Sequence, residues 1–308
     1  MISAALILAL VFLAGYATQR GSTCAVSAAQ EIVETRRATR LAGFMLCAFI
    51  SLGVMALVHL AGWQSAHIVK EPSLASVILL GGILFGAGAY LNGRCAFGTI
   101  ARLGSGELAR VGTLLGFLVG SGIGSYLHMG IGSMKSASPL YQLSAKAMLI
   151  AAILGLASMA AIVRRGRPHE NAGWSTLRAM TVIGLANGAL LLLAQGWSYT
   201  SLLMSLANGT IDAIGWRGLL FVTLIGGAVT GAVRGRTFRL GAGTRRQWLF
   251  TVSGGCLMGL GANFIPGGND RMLMLGLPML LPNLIAAYAV MMVTLVALVA
   301  TIGRPRYQ

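Results

Sequence analysis

An all-helical integral membrane protein of about nine crossings is the fold this sequence predicts, since a span needs ~20 apolar residues. Three observations carry the prediction. The 308 residues are 56% hydrophobic and only 10% charged, against about 25% charged in a soluble domain. The apolar stretches have the length of helices, not the short alternating strands of a barrel. The formal charge of +16 gathers in short segments between those stretches, as the positive-inside rule requires. That rule explains the charge without nucleic acid, so the expected partner is the lipid bilayer and no nucleic acid. With 7 acidic residues, the chain offers little to hold a cation and suits anions better.

The crossings fall at roughly 1–33, 41–62, 75–104, 107–128, 146–164, 178–212, 217–234, 248–276 and 279–301. The first is apolar from Ile2, without a basic leader or a small-residue cleavage site, and is expected to stay as a span. Basic clusters at Arg36–Arg40, Arg102–Arg110, Arg164–Arg167, Arg234–Arg246 and Arg304–Arg306 all fit one side. Making that side cytoplasmic puts the N-terminus outside and the C-terminus inside. Four crossings are too long for one straight helix, and each is broken near its middle. The breaks lie at Gln19–Cys24, Leu91–Cys95, Gln195–Tyr199 and Ile265–Asp270.

The chain reads as one transport domain, 1–308, with an internal repeat. Gly81-Gly82-Ile83-Leu84-Phe85-Gly86-Ala87-Gly88-Ala89 aligns with Gly254-Gly255-Cys256-Leu257-Met258-Gly259-Leu260-Gly261-Ala262, and a break follows each. Repeat A covers about 1–128 and repeat B about 178–301, with the linking span at 146–164 between them. One crossing between the halves inverts the second, which predicts pseudo-symmetric inverted repeats with four half-helix segments. The glycine stripes themselves suit close helix packing.

Irregular backbone inside a bilayer is tolerated where it is buried in protein or lines a wet cavity. Each break starts a half-helix whose free N–H groups attract anions. Gln19, Asn92, Gln195 and Asn269 are uncharged donors at the breaks, and Trp197 sits in the third. Arg20 and Arg94 either draw an anion or pair with Glu31, Glu107 or Asp270. Asp270 either caps the half-helix that follows it, through the N–H of Met272 or Leu273, or carries a proton in the pathway. Cys24 and Cys95 each follow an arginine, and a thiol is a weak donor suited to a soft, sulfur-bearing anion. The other two cysteines, Cys47 and Cys256, read as packing. No metal-ligand spacing is present, and no cofactor is expected.

Three motifs carry a resemblance to a known family. They are Gln19-Arg20-Gly21-Ser22-Thr23-Cys24; Asn92-Gly93-Arg94-Cys95-Ala96-Phe97-Gly98-Thr99 with Arg102-Leu103-Gly104-Ser105-Gly106; and Gly267-Gly268-Asn269-Asp270 before Gly276-Leu277-Pro278. Here the chain resembles the YeeE/YedE family of bacterial sulfur-transport membrane proteins, over nearly its whole length. The resemblance implies an hourglass-like helical protein in the inner membrane. It also implies thiosulfate uptake, with loop cysteines passing the anion along by S–H···S hydrogen bonds. Cys24 and Cys95 match two of those cysteines. The thiosulfate-transporting members have a further cysteine in the last repeat, and here the position equivalent to Cys95 is Gly268.

The function expected is therefore a permease for a small sulfur-containing anion, thiosulfate or a related species. One alternative is a membrane-embedded sulfurtransferase using a Cys95 persulfide, with Arg94 lowering the thiol pKa. Another is a membrane subunit that hands sulfur to a cytoplasmic sulfur-carrier protein.

Overall fold

Left-handed and extended residues interrupt the helices where the sequence turns polar. The computed structural model describes residues 2–61, 70–72, 76–127, 134–137, 144–165, 173–194, 197–210 and 214–305. Helix α1 (Ile2–Arg20) stops before Ser22, at φ 46°, and α2 (Ala25–Thr35) restarts behind the extended Cys24. After α3 (Thr39–Leu60), α4 (Ser76–Asn92) stops at Gly93, whose φ of 72° is free of penalty only without a Cβ. Helix α5 (Ala96–Gly104) then restarts behind the extended Cys95. Helices α6 (Val111–Tyr126) and α7 (Ala145–Arg165) follow.

The second half repeats the pattern. Helix α8 (Thr176–Leu193) gives way to α9 (Tyr199–Ala207) behind the extended Ser198. After α10 (Ile214–Arg234), α11 (Arg245–Phe264) stops at Pro266 and Gly267, with φ of 31° and 146°. The short α12 (Asn269–Arg271) restarts behind Gly268 and runs into a π-helical turn, Met272–Gly276, before α13 (Pro282–Ile302). All four expected breaks are therefore present, although Gln195 lies outside the described residues.

Among the described residues, seven helical segments are long and apolar enough to cross a membrane, and the pair around the 51° bend at α11–α12 makes an eighth. Helix α7 contributes a shorter apolar stretch, Lys146–Ala157. Outside the helices, Lys70–Pro72 and Met134–Ala137 pair as a short antiparallel ribbon. Large apolar side chains such as Val119, Val222, Leu249 and Val293 stand exposed, while Phe44, Phe85, Phe117 and Met258 are buried. An apolar exterior of this kind suits lipid.

Packing follows a set of matched pairs. Helix α1 packs on α10 and α3 on α8; α11 packs on α6 and α4 on α13. Helix α2 touches α13, and α9 touches α6. Helices α4 and α11 cross each other at their glycines. A Cβ at Gly88 would stand 2.6 Å from the Gly254 carbonyl oxygen, and one at Gly261 2.7 Å from the Gly81 oxygen. The second residue of each glycine pair faces elsewhere, Gly82 toward Ala287 of α13 and Gly255 toward Thr113 of α6. Each stripe thus lets two neighbours approach to backbone contact, as the sequence suggested.

Arg40, Arg102 and Arg239, from three of the basic clusters, lie together on one face, while Arg167 and Arg306 lie outside the described residues. Arg304 pairs with Glu34 at the end of α2, and Glu107 after α5 bridges to Gly241 in the α10–α11 loop. Arg110 is buried there, bonded to Glu107 and to the Asn92 carbonyl at 2.8 Å.

Candidate functional site

Each half-helix begins against a residue from a different break. The Ala25 N–H, first in α2, donates to the Cys95 sulfur at 3.1 Å. The Ala96 N–H, first in α5, donates to Asn269 Oδ1 at 3.1 Å. The Thr200 N–H near the start of α9 donates to Asp270 Oδ2 at 3.2 Å, and the Thr200 hydroxyl donates to Asp270 Oδ1. These contacts draw the N-termini of α2, α5, α12 and α9 into one cluster. Cys24, Cys95, Gly268 and Ser198 occupy the four N-cap positions. A capping acceptor normally comes from the N-cap residue itself, but only Ser198 serves its own helix in that way.

The two thiols stand side by side within the cluster. Both are buried, and the cysteines of the described chain are all free. Gly98 leaves room for Cys24: a Cβ there would fall 2.7 Å from the Cys24 sulfur.

Hollows open on either side of this cluster. One, of about 510 Å³, is lined by Gln19, Ser22, Cys24, Ser27 and Arg94 and by Arg40, Arg102 and Arg239 of the basic face. The other, of about 420 Å³, is lined by Trp197, Ser198, Ser201, Arg217 and Arg271. The first touches Thr237 beyond the C-terminus of α10, and the second touches Trp216 and Leu220 near its N-terminus. They therefore lie at opposite ends of a 21-residue helix, about 30 Å long at 1.5 Å per residue. Between them a small apolar cavity of about 30 Å³ shares Trp197 and Ser198 with the second hollow and reaches Asp270 and Phe97.

The other expected site residues sort by what holds them. The Asn92 amide donates to the Arg94 carbonyl at 2.7 Å and to Thr99 Oγ1 at 3.2 Å. Both its N–H groups are thus occupied in holding the loop. Gln19 donates to Ser105 and Thr237, closing the rim of the first hollow. Arg94 reaches Ser27 Oγ at 3.4 Å, and neither it nor Arg20 enters an ion pair among the described residues. Nε of Arg94, Nδ2 of Asn269 and Nε1 of Trp197 are buried with no hydrogen-bond partner among the described residues. Asp270 caps α9 through Thr200 and also accepts the Arg271 N–H of its own half-helix at 2.9 Å, while the Met272 N–H goes to the Gly268 carbonyl. Cys47 is buried in the core, as its apolar surroundings suggested.

Two residues escaped the sequence reading. Thr200 binds Asp270 and also accepts from the Gly268 N–H at 3.0 Å. Arg271 donates to Ser201 Oγ at 3.3 Å. The available signal for Arg271 was a charge directly after a break that itself lacks arginine.

A multi-pass helical membrane protein, with broken helices meeting between two polar hollows, is the class this fold and site define. A family model for sulphur transport matches residues 20–297. The chain belongs to that family, the YeeE/YedE sulphur transport family. No curated protein is found to match it.

Proposed function

We propose that the protein is an inner-membrane permease that admits a small sulfur-containing anion, thiosulfate or a close relative, through the cluster of half-helix starts. The observation that carries this is the meeting of the starts of α2, α5 and α9 between two hollows, with two adjacent thiols at the N-caps of α2 and α5. Half-helix N-termini supply positive potential without a mobile counter-charge. The thiols supply soft donors for sulfur.

The layout that goes with this reading is an hourglass of inverted repeats. Seven long apolar helices, the bent pair and α7 together make nine crossings. Matching α1–α6 to α8–α13 turns three packed pairs into others: α1 on α10 into α8 on α3, α6 on α11 into α13 on α4, and α2 on α13 into α9 on α6. That exchange supports the repeat. The basic face is cytoplasmic by the positive-inside rule, so the C-terminus is inside and the N-terminus outside. The anion then enters by the Arg271 hollow and leaves by the Cys24 hollow, meeting the buried Cys95 between them.

Uptake of radiolabelled thiosulfate, in cells lacking other sulfur permeases, tests the proposal. Wild type is expected to restore uptake and Cys95→Ala to lose it; equal uptake by the variant would discard the thiol path. Mass spectrometry separates transfer chemistry from passage. A transferase would leave Cys95 with an added sulfur, whereas passage leaves the thiol unmodified.

A further inference from the structure

The connection between α10 and α11, residues 235–244, runs as a strap along the stretch that follows α5. The Arg239 N–H donates to the Ser105 carbonyl at 2.9 Å and the Gly241 N–H to the Gly106 carbonyl at 3.0 Å. In return the Leu108 N–H donates to the Gly241 carbonyl at 3.0 Å. The pairing is parallel, and side chains alternate along it as extended backbone requires. Thr237 and Arg239 turn inward and line the Cys24 hollow. Phe238 and Leu240 are exposed. Gln19 ties the inner row down, donating to Thr237 Oγ1 at 3.0 Å and to Ser105 Oγ at 3.3 Å.

The seat is fitted to the strap. Gly106 has φ 95°, and a Cβ there would fall 2.5 Å from the Arg239 carbonyl oxygen. The outer side is open: a Cβ at Gly241 would meet no heavy atom within 4 Å. Left-handed residues stand at both ends, Arg236 at φ 53° and Gly243 at φ 73°. Hinges are built from a few such loop positions, which absorb the change in backbone angle. The bonds that seat the strap lie at the mouth of a polar hollow, where water can take over each partner. Exposed backbone bonds of this kind open at low free energy. The bonds among the half-helix starts are buried instead.

We propose that the strap is a hinged lid on the Cys24 hollow. Seated, it narrows the mouth with Thr237 and Arg239. Lifted about Arg236 and Gly243, it exposes the hollow and the Cys24 thiol to solvent. The proposal rests on the transport reading only for what passes beneath the lid.

The test treats the full-length protein in detergent with a small maleimide and identifies each modified cysteine by peptide mass spectrometry. Cys24 lines the hollow, and Cys47, buried in the core, reports general unfolding. Thr237→Val deletes the hydroxyl that Gln19 holds. It should speed Cys24 labelling about twofold to tenfold, the worth of one ordinary hydrogen bond, with Cys47 no faster. Thr237→Ser keeps the hydroxyl and should label as wild type does. Ser105→Cys combined with Thr237→Cys provides a lock. The two replaced hydroxyls both stand within 3.3 Å of Gln19 Nε2, so a short bis-maleimide can join the new thiols. The joined protein should label Cys24 more slowly than the same variant left unjoined. An unchanged Cys24 rate in either the Thr237→Val or the joined protein overturns the proposal, as does an acceleration that Cys47 shares. The readout needs no cargo, so a failure of thiosulfate uptake would sink the transport reading and leave the lid standing.

Discussion

Replacing Gly268 with cysteine puts a thiol where the resemblance to thiosulfate carriers leads one to expect it, and the structure says this chain cannot accept it freely. A Cβ at Gly268 would lie 2.6 Å from Thr200 Cγ2, 2.9 Å from Thr200 Oγ1 and 3.0 Å from Asp270 Oδ1. Carbon contacts settle at about 3.5–4.0 Å, so Thr200 must withdraw by about 1 Å. Overpacking of this kind costs about 1–3 kcal/mol. Pulling the Thr200 hydroxyl from Asp270 leaves a buried polar group short of a partner, another ~1–3 kcal/mol. If the two add, Gly268→Cys costs about 2–6 kcal/mol. Thr200→Ala removes the two nearer of these three atoms, so in that background the same change should cost much less. The assay is a double-mutant cycle on thermal unfolding of the purified protein, with Gly268→Cys made in both backgrounds. A cost that is the same with and without the Thr200 side chain would refute the claim that Thr200 fills the space of the absent thiol.

Other changes test neighbouring parts of the argument. Cys95→Ala removes the acceptor of the Ala25 N–H and should lower stability by about 1–3 kcal/mol in a melting assay, beside its loss of uptake. Gly254→Ala places a methyl group 2.6 Å from the Asn92 nitrogen and 2.7 Å from the Gly88 oxygen; with backbone on both sides, about 1–3 kcal/mol of stability should be lost, read by the same melt. Tyr199→Phe deletes the hydroxyl that donates to the Ala96 carbonyl at 3.0 Å, and a loss of about 0.5–1.5 kcal/mol is expected. Arg304→Ala breaks an exposed ion pair with Glu34 and should leave the melting temperature unmoved.

Local chemistry was legible in the sequence wherever it decided local shape. Polar and glycine residues inside apolar runs marked the breaks, because a bilayer leaves few other reasons for them. The glycine stripes announced close packing, and the structure brings Gly88 and Gly254 to backbone contact. What one sequence could not supply was the identity of partners far apart in the chain. Asp270 was read against its own helix, where it accepts the Arg271 N–H, but it also serves Thr200, 70 residues away. Asn92 was read as a donor for an anion, whereas its amide is occupied in turning the loop between α4 and α5. Arg271 has no arginine at the matching position of the first half, which is Gly98. Arg94 of that half matches Gly267, whose backbone at φ 146° excludes an arginine.

The exchange of caps among the breaks also limits how the centre can move. A helix that caps itself can swing as a rigid piece and keep its first hydrogen bonds. Here the start of α2 depends on Cys95, the start of α5 on Asn269, and the start of α9 on Asp270. Tilting any one half-helix away would strip a bond from another and leave a buried polar group short of a partner. The waist therefore behaves as an interlocked collar and not as a gate with a free leaf. On the transport reading proposed above, an ion would cross between side chains that give way locally, while the backbone ring stays closed.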